Sequence, residues 1–185
     1  MAKELSIVNC LVIGQERIKE FDMRLTVFTD VGASRFNATG ILRPSAKLRG
    51  VLQLFNHVEL STMGHRVMGA HVIKNNTAIS RDVNRFYLAS SICETLASLL
   101  REPDDYTDIL ALATETLSIL ADTDASCFRV FIDFYSKLLA ILGFDQEIKT
   151  DDDLGLARAR EIIKHIQDTY IRELEFQIPL VNHFL

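Results

Sequence analysis

The sequence predicts an α+β chain in which a five-stranded β-barrel precedes an α-helical bundle. Three observations predict it. Apolar residues in the first 80 positions recur in short period-two runs broken at glycines. From Ser80 the apolar spacing changes to three and four. Charge changes with it: residues 1–80 hold ten Lys+Arg against six Asp+Glu, whereas residues 81–185 hold ten against nineteen. A barrel over 1–79 and a helical domain over 80–185, with different partners, are the expected organisation; alternatively, the acidic excess only solvates helix faces.

The strands are justified in order. Leu5 to Ile13 is rich in apolar and β-branched residues and is expected to stop at Gly14. Arg24–Thr29 alternates, Asp30-Val31-Gly32 offers a turn, and Ala33–Thr39 runs to Gly40. Val51–Leu60 and Arg66–Lys74 supply two more strands, with Gly64 as the hairpin signal. Five strands without a long helical pattern favour a small barrel over a βαβ unit. The five-stranded barrel most used for oligonucleotides is the OB-fold.

The helices follow. Ser80 or Asp82 caps one through Phe86, Leu88, Ala89, Ile92, Cys93, Leu96, Leu99 and Leu100, ending before Pro103. Asp104-Asp105 opens a second, with Ile109, Leu110, Leu112, Ala113, Leu117 and Leu120. Asp124-Ala125-Ser126 starts a third, with Phe128, Phe131, Ile132, Tyr135, Leu138, Leu139 and Leu142, stopped by Gly143. A polar link, Asp145 to Asp153, precedes a fourth with Ile162, Ile163, Ile166, Tyr170, Ile171 and Leu174. Apolar stripes this wide require a mutually packed bundle.

Composition removes several classes. A chain of 185 residues buries roughly 70% of its unfolded surface, so neither disulfides nor a metal are required for folding. Cys10, Cys93 and Cys127 are isolated, without a C-x-x-C pair, and are expected to be buried free thiols of a reducing cytoplasm. No apolar run approaches the ~18 residues of a membrane span, and Met1-Ala2-Lys3-Glu4 has no signal core. Neither membrane insertion nor secretion is expected.

The segment Gly40-Ile41-Leu42-Arg43-Pro44-Ser45-Ala46-Lys47-Leu48-Arg49-Gly50 carries three cations within seven residues. Gly and Pro keep it irregular, and strands are predicted on both sides. Fixed cations on such a loop predict a polyanion-binding face. Arg35, Arg66 and Lys74, on neighbouring strands, are expected to extend it.

These stretches resemble the RecO family of bacterial DNA repair and recombination mediator proteins. Glu20-Phe21-Asp22, Leu25-Thr26-Val27-Phe28-Thr29 and Gly32 are similar to its acidic pair, strand and glycine turn. Gly40, Arg43, Pro44, Ser45, Lys47, Leu48, Gly50, Leu52, Gln53 and Phe55 resemble its basic loop, and Phe134, Lys137, Leu138, Leu139, Leu142, Gly143 and Phe144 its helix ending in a Gly-aromatic pair. Ile18-Lys19 departs from the usual aromatic-Gly step, and Asp145 to Asp153 lacks the four cysteines of a zinc insertion, so zinc is set aside. The last predicted helix lacks the family's usual basic finish and the chain ends early, which puts DNA contacts from the C-terminal part in doubt. The resemblance implies an N-terminal OB-fold, a helical domain and binding of single- and double-stranded DNA. It further implies strand annealing and help in loading RecA, with RecR and the acidic tail of the single-stranded-DNA-binding protein as partners.

Other constellations give no catalytic reading. Phe36 and Phe55 are expected in the barrel core rather than against bases. His57 and His71 would face each other across a hairpin, without a third zinc ligand. Glu20 and Asp22 fit turn capping, and Asp151-Asp152-Asp153 fits the N-terminal charging of a helix. No nucleophile elbow, P-loop or dinucleotide motif occurs. The expected protein is therefore not an enzyme and takes no cofactor or metal. DNA is expected at Arg35, Arg43, Lys47, Arg49, Arg66 and Lys74, and a protein partner at Arg129, Phe134, Lys137 and Leu138. The alternatives are a scaffold whose barrel has lost DNA binding and an uncharacterised hydrolase.

Overall fold

The computed structural model describes residues 4–98, 105–122, 124 and 126–143. Five strands, β1 (Leu5–Arg17), β2 (Met23–Thr29), β3 (Gly32–Ala38), β4 (His57–Met63) and β5 (Arg66–Lys74), precede α1 (Val83–Ser98), α2 (Thr107–Leu120) and α3 (Cys127–Ile141). The α+β arrangement of an OB-like barrel and a helical domain is the one expected. The fourth predicted helix, the link before it, and Leu99 and Leu100 lie outside the described residues.

The strands pair in the order β1-β2-β3-β5-β4 and return to β1, closing a barrel. Every pairing is antiparallel except β3 with β5, a narrow parallel seam at Asn37 and Arg66. One strand serves two neighbours: Leu5 to Leu11 pairs with β4, and Leu11 to Arg17 with β2. Gly14 therefore does not end it. A register shift falls between Val12 and Gly14, and a Cβ at Gly14 would stand 3.2 Å from the Thr26 Cβ. Glycine lets the bent strand approach its neighbour closely.

The second departure concerns Val51–Leu60. Only His57 onward is strand. Val51 and Leu52 donate backbone N–H groups to Leu48 O, and Phe55 takes φ 71°. Burial here does not alternate, because consecutive turns replace the strand: Leu52 enters the barrel interior while Phe55, three residues on, turns toward the helices.

Two cores result. Inside the barrel lie Cys10, Val12, Leu25, Val27, Phe36, Ala38, Ile41, Leu52, Val58, Leu60 and Val67. The second core gathers the inner faces of the three helices and continues onto the barrel wall at Leu11, Ile13, Phe28 and Phe55. Phe36 is thus in the barrel core, as expected, whereas Phe55 is buried in the second core, where the barrel wall meets the helices. Tyr106 fastens α2 to the β2–β3 turn, its N–H bonded to Asp30 O at 2.7 Å and its ring 6.1 Å from Phe28. Asp82 caps α1 by accepting the Arg85 N–H at 2.9 Å. All three thiols are free; Cys10 and Cys93 are buried and Cys127 half-buried. Burial pushes the Cys10 thiol up to about 12, away from reactivity.

Candidate nucleic-acid interface

The register brings three connections to one end of the barrel. Met23 pairs with Ala38 and Asn37 with Arg66, so the Ile18–Asp22 turn, the start of the basic loop and the Gly64-His65 turn are neighbours. Hydrogen bonds join them. Asp22 Oδ1 accepts the Gly40 N–H at 2.8 Å, Phe21 O accepts the Leu42 N–H at 3.1 Å, and His65 O accepts the Asn37 N–H at 2.7 Å. The capping role expected of Asp22 is present, directed at the loop. Gly40, at φ 71°, holds the left-handed conformation in which that N–H meets the carboxylate.

From there the basic segment is a series of turns. Arg43 N–H bonds Gly40 O, Ala46 bonds Arg43 O, and Arg49 bonds Ala46 O. The last turn is 3₁₀, over Lys47–Arg49. Ile41 and Leu52 are buried in the barrel, with Leu42, Leu48 and Val51 packed against it. The segment is a cap seated by its apolar residues. At three residues per turn, Lys47 and Arg49 splay to either side of Leu48. Both are exposed, as is Arg43, whose guanidinium lies 5.6 Å from the centre of the Phe21 ring.

Arg66 is exposed and opposes Asn37 at this end of the barrel, and exposed Arg35 lies two residues back along β3. Lys74 is not with them. Eight residues along β5 separate it from Arg66, roughly 26 Å. It pairs with His57 and lines an open cleft of about 410 Å³ with Asn75, Ser118 and Asp122. Among the described residues the one ion pair joins Arg24 to Glu16 at 3.2 Å. Arg35, Arg43, Lys47, Arg49 and Arg66 have no carboxylate within ion-pair distance there. Among the described residues their charge is not compensated at ion-pair distance, the condition under which phosphates displace counterions most effectively.

Phe21, the support under Arg43, was not among the expected site residues, although Glu20-Phe21-Asp22 was noted for its acids. Two buried asparagines were also missed. Asn76 donates its backbone N–H to Asn56 Oδ1 and its side-chain Nδ2 to Phe55 O, both at 2.9 Å, while Asn56 Nδ2 holds Val51 O at 3.0 Å. They latch the far end of the cap to the start of the helical domain. No local pattern marks an asparagine for such a role.

The hairpin histidines do not meet. His71 opposes Glu59 and His57 opposes Lys74. No cluster able to hold a metal ion occurs among the described residues. His57 lies against Asn9 Oδ1, and burial holds its pKa below the ordinary 6.5. The unfolded chain therefore binds this proton more tightly, and His57 favours folding above pH 6.5 but loses that contribution as pH falls below it. The stability of wild type minus that of His57→Gln should shrink between pH 7.5 and pH 5.5, read from urea midpoints; a constant difference contradicts it.

On α3, Arg129 and Lys137 are exposed, but Phe134 and Leu138 are buried in the bundle core and offer no surface to a partner. The apolar neighbour that does reach solvent is Ile141, one turn beyond Lys137. The period that identified the helix also assigns Phe134 and Leu138 to its inner face.

The barrel, its cationic cap and the appended helices define a two-part OB-like protein with a basic barrel end and a helical module. Comparison with known proteins finds two similarities. Residues 80–149 match the family described as Recombination protein O C terminal. The chain is also 24% identical over 141 residues to the DNA repair protein RecO of Caldanaerobacter subterraneus subsp. tengcongensis, a match covering 74% of this chain and 57% of that relative. Both matches are to RecO proteins, and the chain spans somewhat over half the length of the relative it matches. No helix among the described residues is long and apolar enough to cross a membrane.

Proposed function

We propose that this chain is a non-enzymatic, cytoplasmic recombination mediator. Its barrel end binds single- and double-stranded DNA through Arg43, Lys47 and Arg49, with Arg35 and Arg66 alongside. One observation carries the reading: the three loop cations are exposed on an ordered cap, and no carboxylate within ion-pair distance neutralises them among the described residues. Phosphate contacts carry no sequence information, so sequence preference is weak. Annealing then requires only that the protein screen two strands and hold them close. Similarity to a DNA repair protein RecO supports the rest: assistance to RecA loading with RecR, and an acidic partner tail met by Arg129 and Lys137 of α3.

The test is an annealing assay with two complementary labelled oligonucleotides and the full chain. Annealing should accelerate at low salt, and the acceleration should fade as salt rises. The overall charge of −5 favours the scaffold reading instead. A wild-type chain that neither binds nor anneals DNA at low salt would establish that alternative.

A further inference from the structure

The first turn of α1 presents Val83, Phe86 and Tyr87 to solvent, at 69%, 37% and 39% exposure. Positions i, i+3 and i+4 lie on one helix face. Three large apolar groups thus form an outward stripe where a surface helix ordinarily carries polar residues. The rings are ordered. Phe86 stands edge-on to the buried Phe55 at 5.7 Å, and Tyr87 stands edge-on to Phe86 at 6.2 Å.

This stripe borders the cationic cap. Phe55 is the last apolar anchor of the segment that begins with the basic loop, and Gln53 Nε2 donates to Arg49 O. The two residues from Gln53 to Phe55 reach at most about 7 Å, and the Phe86 ring lies one aromatic contact further. Exposed Arg81 and Asn84 flank the stripe. The nearest acid in the chain, Asp82, is engaged in capping the helix. Cations followed by exposed rings are the arrangement that holds a backbone and its unpaired bases together.

We propose that Phe86 and Tyr87 form a stacking platform for the bases of a single-stranded nucleic acid whose backbone follows Arg43, Lys47 and Arg49. The platform rests on the DNA-binding reading above and adds a distinction the cations cannot make. Phosphates are common to single strands and duplexes, whereas only unpaired bases can stack on the rings. The site lies on a helix outside the barrel, so the helical domain takes part in holding DNA.

The chain contains no tryptophan, so Tyr87→Trp introduces a single indole at the platform. Titrating that variant with oligothymidylate should quench its fluorescence, whereas a duplex of equal length or an abasic strand should not. Replacing both rings (Phe86→Ala with Tyr87→Ala) should weaken oligothymidylate binding about tenfold and leave duplex and abasic-strand affinity unchanged. Phe86 also supports Phe55, so Tyr87→Ala alone provides the same comparison if the double variant is unstable. An unquenched indole at saturation, with full single-strand affinity in Tyr87→Ala, overturns the platform and leaves the loop's DNA binding standing. Equal quenching by the abasic strand also overturns it. A wild-type chain that binds no DNA overturns both.

Discussion

Replacing Arg43, Lys47 and Arg49 together by alanine is expected to lower affinity for single-stranded DNA about a hundredfold at low salt, and to reduce the slope of log affinity against log salt by about 2. The slope is the more decisive quantity. Each phosphate neutralised on a single strand contributes about 0.7 to it, so three lost contacts have a defined signature, while general damage to the fold does not. Damage should be small. The three side chains are exposed and have no ion-pair partners among the described residues. The stacking of Arg43 on Phe21 is the one contact removed, about 0.5–1 kcal/mol at an exposed site. An unchanged salt slope in the triple variant, measured by anisotropy across a salt series, would remove the barrel end from the DNA-binding surface.

The parts of the fold that were legible in sequence are those governed by period and punctuation. The 3–4 spacing from Ser80 identified α1, α2 and α3 with their inner faces, because a helix shows one stripe to one core. Gly64 and Gly40 marked true turns because their backbones require positive φ. What failed was whatever the rest of the molecule decides. Gly14 breaks a strand in local terms, yet β1 continues through it because β2 needs that close approach. Val51–Leu60 reads as one strand, yet two cores on opposite sides of a series of turns take Leu52 and Phe55, and strand begins only at His57. The loop cations were legible because charge density is local, whereas the separation of Lys74 from Arg66 depends on strand length.

Phe55→Ala should show how that joint is held, at a cost of about 3 kcal/mol in stability. The ring is fully buried where the barrel wall meets the helices. Its backbone is also committed at both ends: the N–H bonds Val12 O at 2.9 Å, and the carbonyl accepts from Asn76. Against this stands φ 71°, where a residue with a Cβ meets about 1–2 kcal/mol of strain. Burial of the ring outweighs that strain, which is why phenylalanine is tolerated in a glycine conformation. Comparing two substitutions separates the effects. Both Phe55→Ala and Phe55→Gly lose the ring, but only glycine relieves the backbone. The glycine variant should therefore be the more stable of the two by about 1 kcal/mol, reversing the usual order in regular structure. Urea denaturation gives both numbers. An alanine variant within about 0.5 kcal/mol of wild type would show that this ring does not hold the cap against the helical domain, and a glycine variant less stable than alanine would show that the backbone at Phe55 is not strained.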